Sequence, residues 1–224
     1  MTPPHIASTY NVLKIIRQET DAIGVALSFG KDSLTTLDIC VKIFPRVEAF
    51  YLTRVLGLRI VSNWCRWVRK KWNVKVRIYP HYDLSRIYRY AVLMPHWVEL
   101  EDFPVFGMAD VEKVFRDEAG VEWIAYGWRK SDSITRAVIL KRLRGIDFDH
   151  RRVFPIYNWR RPQVYEYLHQ HGIPTPPTLG RKEQGGLDFH PEALKYLAEN
   201  YPDDWLRWLE CFPFSPVMFF ETNK

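Results

Sequence analysis

Ala22-Ile23-Gly24-Val25-Ala26-Leu27, running into Ser28-Phe29-Gly30-Lys31-Asp32-Ser33, is the stretch that decides the fold of this chain. The first six residues are a continuous apolar run of the kind a buried parallel strand carries. After the loop, Leu34, Leu37, Val41 and Phe44 recur at three- and four-residue spacing, the period of one helix face. A strand, a tight polar turn and a helix together aim backbone N–H groups and a positive helix end at an anion. Ser28 and Ser33 offer hydroxyl donors, Gly30 a close backbone approach, Lys31 a cation and Asp32 a ligand for Mg²⁺. The stretch reads as a phosphate site.

Outward from it, the spacing predicts a first helix from Ser8 to Gln18, with Tyr10, Leu13, Ile16 and Arg17 placed for packing. A second strand fits Val47 to Thr53, and a helix fits Leu58 to Lys71. A third strand, Val74 to Tyr79, ends in Pro80-His81-Tyr82-Asp83. The segment from Tyr88 to Val105 reads as irregular. A helix over Asp110 to Glu118 turns Val111, Val114 and Phe115 inward, and a fourth strand spans Val121 to Tyr126. Helices follow over Ile134 to Leu143 and Arg161 to His169, the latter capped by Asn158. The β-α-β-α-β-α-β-α order predicts an α/β, doubly wound, mainly parallel sheet, with ligands beyond the carboxyl ends of its strands. The Ser28 loop, Thr53-Arg54 and the Gly127 loop meet there.

At 224 residues and 47% hydrophobic content the chain can build a full α/β core. No apolar run reaches a membrane span, and no charged-then-apolar leader opens the sequence, so a soluble, cytoplasmic protein without a membrane partner is expected. Cys40, Cys65 and Cys211 are too few and too scattered for a disulfide framework or a four-cysteine metal site. The histidines show no ligand spacing; no metal site is expected beyond Mg²⁺ carried by the nucleotide. His81 stands at a strand end near the crevice, where a structural role and a catalytic one are both open. Net charge is +6, with cations gathered at Arg66, Arg69, Lys70, Lys71, Lys75 and Arg77 and again at Lys141, Arg142, Arg144, Arg151 and Arg152. Either group suits a polyanion or a solvated helix face. Val61, Trp64, Val68 and Trp72 form a core stripe, which assigns the tryptophans to packing. A nucleic-acid acceptor would require Arg142, Arg144, Arg151 and Arg152 at the mouth of the crevice.

A Walker A loop does not fit: one residue too many separates Gly24 from Gly30, and Asp32 stands where Ser or Thr should follow the lysine. The S-x-G-x-D-S spelling instead resembles the PP-loop of ATP pyrophosphatases and adenine nucleotide α-hydrolases. Gly127-Trp128-Arg129-Lys130-Ser131-Asp132-Ser133, with Arg136 following, resembles the G-x-R-x-x-x-S-x-x-R segment of the phosphoadenylyl sulfate (PAPS) reductase family. Val153-Phe154-Pro155-Ile156-Tyr157-Asn158-Trp159 and Gly172-Ile173-Pro174 are similar to that family's later signature. Three motifs in the family's order are far more specific than one. The resemblance implies a five-stranded, Rossmann-like adenine nucleotide α-hydrolase layer. It also implies an adenine nucleotide, ATP with Mg²⁺, held by Ser28, Phe29, Gly30, Lys31, Asp32, Ser33, Thr53, Gly127 and Ser133. Lys31, Asp32, Arg129 and Arg136 are the candidate catalytic residues.

The departures are equally specific. The reductases carry a catalytic cysteine in an E-C-G-x-H motif; here Glu210-Cys211 runs on into Phe212-Pro213-Phe214 and continues an aromatic helix. Cys211 reads as a small buried hydrophobe, and Lys31-Asp32-Ser33 sits closer to the ATP-using branch. Residues 1–180 read as the nucleotide-binding domain and 181–224 as a helical tail packed on it. That tail, with Gly185-Gly186 as a hinge or a plain turn behind Arg181-Lys182, resembles those of compact phage-encoded members. The resulting expectation is cleavage of ATP between its α- and β-phosphates to adenylate an acceptor. The alternatives are a thiol-dependent PAPS reductase and a non-catalytic nucleotide-binding module.

Overall fold

The computed structural model describes residues 3–95, 104–175, 179 and 186–223. The elements are α1 (Pro4–Glu19), β1 (Ala22–Leu27), α2 (Lys31–Ile43), β2 (Arg46–Thr53), α3 (Arg59–Trp72), β3 (Val76–Pro80), α4 (Leu84–Arg89) and α5 (Met108–Ala119). They continue with β4 (Ile124–Ala125), α6 (Ile134–Leu143), β5 (Ile146–Asp147), β6 (Arg152–Val153), α7 (Arg161–Gln170), α8 (Pro191–Asn200), α9 (Pro202–Cys211) and a closing 3-10 helix, Ser215–Asn223. The sheet order is β3-β2-β1-β4-β6-β5. Every neighbouring pair is parallel except β5 with β6. The order reverses between β1 and β4, so the ligand crevice of a doubly wound sheet falls at the end of these two strands.

Strand alternation sends side chains to two cores. Ile23, Val25 and Leu27 of β1, with Ala49 and Tyr51 of β2, face the larger cluster with α1, α2, α3 and α7. Phe50 points the other way, to Val111 and Phe115 of α5, Leu140 of α6 and Phe154. The apolar run at residues 22–27 is continuous because both faces of the strand are covered.

Several expectations change. The sheet has six strands rather than five, the extra one being antiparallel β5, which follows the turn at Gly145 (φ +88°). β4 holds two residues rather than six. Tyr10 and Val114 are exposed, not inward. Leu84–Arg89 forms a short helix that takes in the first two residues of the segment read as irregular, and residues 96–103 of that segment lie outside the described residues. Asn158 does not cap α7; it accepts from Lys130 Nζ (2.7 Å), while the Gln163 side chain accepts from the Arg160 N–H (2.6 Å). Trp64, Trp67 and Trp72 pack edge to face, as packing residues do (5.4 and 5.0 Å between centroids).

The C-terminal helices share the larger core through Leu194, Leu197, Trp208 and Phe212. They also supply a cap that the sequence of α3 lacks. Leu58, at its N-cap, has no side-chain acceptor, and the buried Asp204 of α9 takes the Arg59 and Ile60 N–H groups instead (2.6 and 2.8 Å). Among the described residues no helix is long and apolar enough to cross a membrane.

Asp38 of α2 joins three helices in the same way. Its carboxylate accepts from Trp72 Nε1 of α3 (2.8 Å), Tyr167 Oη of α7 (2.7 Å) and Lys42 Nζ (2.6 Å). Burial alone would raise its pKa; the three donors reverse that and hold the carboxyl below the ordinary range. Its stabilisation is therefore complete above the unfolded value near 3.9 and is lost as pH falls through the lower, folded one. Asp38→Asn should cost roughly 1–3 kcal/mol at pH 7, and the gap to wild type in thermal melts should narrow at pH 3. A gap that does not change with pH would show that the contact owes nothing to charge.

Candidate functional site

The crevice encloses about 930 Å³ at the carboxyl ends of β1, β2 and β4 and on the sheet face under α5. The loop after β1 is closed on itself. Ser33 Oγ donates to the Gly30 carbonyl (3.0 Å) and accepts from the Ser28 N–H (3.2 Å), with Ser28 Oγ 3.3 Å away. The sharp turn falls on Phe29 (φ +54°), while Gly30 keeps an ordinary φ of −81°. A non-glycine residue in the left-handed region is strained by about 1–3 kcal/mol unless its surroundings hold it there. Phe29 is held: it is buried, with its ring 4.8 Å from Tyr51 and 6.1 Å from Trp64. Behind this loop the thirteen-residue α2 points its amino end into the crevice.

A chain of charges faces the loop. Lys31 Nζ pairs with Asp32 Oδ2 (2.7 Å), and Arg129 Nε with Asp32 Oδ1 (2.8 Å). Arg129 Nη2 reaches Asp132 Oδ1 (2.7 Å), and Arg136 Nη1 reaches Asp132 Oδ2 (3.0 Å). The Arg136 guanidinium also lies over the Trp128 ring at 4.8 Å. Gly127 brings these cations to the loop. A Cβ there would stand 2.8 Å from the Asp32 carbonyl carbon and oxygen and 2.9 Å from the Ser33 nitrogen, so only glycine lets the two backbones touch.

Ser28, Lys31, Asp32, Ser33, Gly127, Arg129 and Arg136 thus line one crevice. Four other residues expected to hold the nucleotide do not line it. Phe29 and Gly30 shape the loop from behind; the Thr53 hydroxyl donates to the Val55 carbonyl (2.6 Å), and Ser133 caps α6. Of the four arginines required by a nucleic-acid acceptor, only Arg152 lines the crevice, and its Nε is taken by Glu112 (2.8 Å). Arg151 pairs with Glu122 at the amino end of β6.

Two further wings complete the crevice; of their residues, the sequence places only Arg54 and His81 near it. On the sheet face, buried Glu112 accepts from Tyr126 Oη and Arg152 Nε and pairs with Arg116, below the apolar walls of Phe50, Leu52 and Met108. Burial and the Glu112 charge push the Tyr126 phenol well above its ordinary value, so it stays a neutral donor. At the ends of β2 and β3, Asp83 receives Arg54 Nη2 (2.6 Å) and His81 Nδ1 (2.5 Å). These partners overcome burial and lower the Asp83 pKa. Arg54 Nη1 also donates to the Leu187 carbonyl (3.1 Å), which ties the C-terminal segment to this wall. His81, with one ring nitrogen on Asp83 and the other 3.4 Å from Arg54, is a bonded member of this network. The Arg181-Lys182 loop and Gly185 lie outside the described residues.

No cysteine lines the crevice among the described residues. Cys211 ends α9; burial and then Glu210 push its thiol up, against a smaller opposing effect of Arg207. No group of three or more His, Cys, Asp or Glu side chains that could hold a metal ion occurs among the described residues. The Asp32 carboxylate, in the loop after β1, has the chemistry of a Mg²⁺ ligand.

Residues 22–182 match the family described as phosphoadenosine phosphosulfate reductase domain. No curated protein matches the chain. Among solved structures, the chain is similar to phosphoadenylyl-sulfate (PAPS) reductase from Candida auris, determined as a phosphate complex. Identity there is 18% and the TM-score 0.52, over 80% of this chain and 87% of that one. It is also similar to NH3-dependent NAD synthetase from Campylobacter jejuni subsp. jejuni, at 12% identity and a TM-score of 0.49, over 98% of this chain and 95% of that one. The first likeness bears on the fold alone, and the second is too distant to argue from.

Proposed function

The chain belongs to the phosphoadenosine phosphosulfate reductase domain family, and on that premise we propose that it binds ATP in the crevice and transfers the adenylyl group to a small acceptor. The observation that carries this reading is the continuous chain Lys31–Asp32–Arg129–Asp132–Arg136, set against two serine hydroxyls and a helix amino end. In the step proposed, an acceptor oxygen or nitrogen attacks the α-phosphorus, the bond to the α–β bridging oxygen breaks, and pyrophosphate leaves with the electron pair while the acceptor loses its proton. Ser28, Ser33 and the α2 N–H groups hold the departing pyrophosphate, and Lys31 offsets its growing charge. Arg129 and Arg136 orient the α-phosphate. Mg²⁺, arriving on the phosphates with Asp32 as its protein partner, supplies further neutralisation of charge.

Calorimetric titration with ATP and an assay of pyrophosphate release test the reading. Ser33→Ala removes a hydroxyl that would bond a charged phosphate oxygen, and ATP affinity should fall roughly tenfold or more. Asp32→Ala should lower pyrophosphate release further. Unchanged ATP affinity in both variants would sink the proposal. A thiol-dependent reductase is the second reading, favoured by the family's description and the Glu210-Cys211 pair. Sulfite formed from phosphoadenylyl sulfate with thioredoxin, and lost in Cys211→Ser, would establish it instead. ATP binding with neither product would favour a non-catalytic module.

A further inference from the structure

We propose that Asp132 is the positioning residue that makes Arg129 and Arg136 a single anion clamp, an inference that rests on the nucleotide reading of the same crevice. Its carboxylate accepts from Arg129 N (2.9 Å) and Arg136 Nη1 (3.0 Å) and forms an ion pair with Arg129 Nη2 (2.7 Å). Only 15% of the side chain is exposed, so these bonds are partly shielded from water. The backbone bond fixes where the Arg129 side chain begins; the two guanidinium bonds fix where both forks point.

Each fork is also held from a second side. Arg129 Nε sits on Asp32 and its Nη1 donates to Ser131 Oγ (3.1 Å). Arg136 is pressed on Trp128, yet 40% of its side chain is exposed. A long exposed arginine loses much rotamer freedom when it binds an anion. Asp132 imposes that loss in advance, so the ligand meets a fork already in place.

This role makes a prediction of opposite sign to simple electrostatics. Asp132→Asn removes a negative charge from a site built for anions, which by charge alone should tighten binding. If Asp132 acts by position, binding must weaken although the site becomes more positive. Titration of inorganic pyrophosphate and of ATP into the full chain separates the two. Asp132→Asn should bind both at least tenfold more weakly. In an Arg136→Gln background the same change should cost clearly less, because half of what Asp132 positions is gone. Equal or tighter binding by a folded Asp132→Asn overturns the proposal. If that variant does not fold, Asp132→Glu decides: it keeps the charge and moves the carboxylate by one methylene, so weakened binding supports the proposal and unchanged binding overturns it. Wild type that binds pyrophosphate but not ATP refutes the ATP reading while leaving the clamp testable by pyrophosphate. Wild type that binds neither overturns both.

Discussion

Gly127→Ala should lower both stability and nucleotide affinity, and by more than an alanine at the more conspicuous Gly30. The added methyl at residue 127 would stand 2.8–2.9 Å from backbone atoms of Asp32 and Ser33, in the first turn of α2. Backbone in a hydrogen-bonded helix cannot yield as a flexible side chain does, so the Gly127 loop must move instead. Overpacking of this kind costs about 1–3 kcal/mol, or roughly 2–12 °C in melting temperature for a chain of this size. The functional loss is larger. Arg129 lies two residues on, and an ångström of misplacement can cost about 10²-fold in a positioned reaction. At Gly30 a Cβ would meet only the Ser28 hydroxyl, at 3.3 Å, and φ is already −81°. Melting curves and ATP titrations of the two variants make the comparison. Equal, small losses at both positions would mean that the contact between the loops is not what aligns them.

That contrast also marks how far the sequence could be read. The strand–turn–helix at residues 22–43 was legible because a strand, a tight turn and an amphipathic helix leave local signals that need no partner. The Gly127 loop was legible as a spelling, and both stretches line the crevice where a parallel sheet should hold its ligand. Two kinds of feature were hidden. Strands of two residues, β4 and β5, carry no periodicity, so one was drawn too long and the other was not seen. Pairings of carboxylates were hidden as well. Asp132 lies in plain sight beside Arg129, but nothing in spacing tells a solvated aspartate from one holding two guanidinium groups. Glu112 looks like one more charge on α5 until Tyr126 and Arg152 arrive from two strands. The left-handed residue of the loop is Phe29, whose strain is held by aromatic partners from β2 and α3, and nothing local in the sequence marks it. The Thr53 hydroxyl serves the Val55 carbonyl and Ser133 caps α6, local roles that a loop-end position or a motif spelling does not reveal.

Arg129→Ala should be among the most destabilising single changes near the crevice. The side chain is 5% exposed and lies between two carboxylates, Asp32 and Asp132. Removing one partner from a buried ion pair costs about 3–5 kcal/mol, because the charge left behind stays desolvated. Here two acidic groups would face the gap. Urea midpoints for wild type and Arg129→Ala should therefore lie far apart at pH 7.5. Arg129→Lys should recover only part of the loss. A lysine offers one ammonium where the arginine fork spans both carboxylates. Its ATP affinity should stay well below that of wild type even where stability is largely restored. Full recovery of binding by lysine would show that the site needs a charge at this position and not a fork. Equal midpoints for wild type and Arg129→Ala would show that the fold does not depend on these ion pairs.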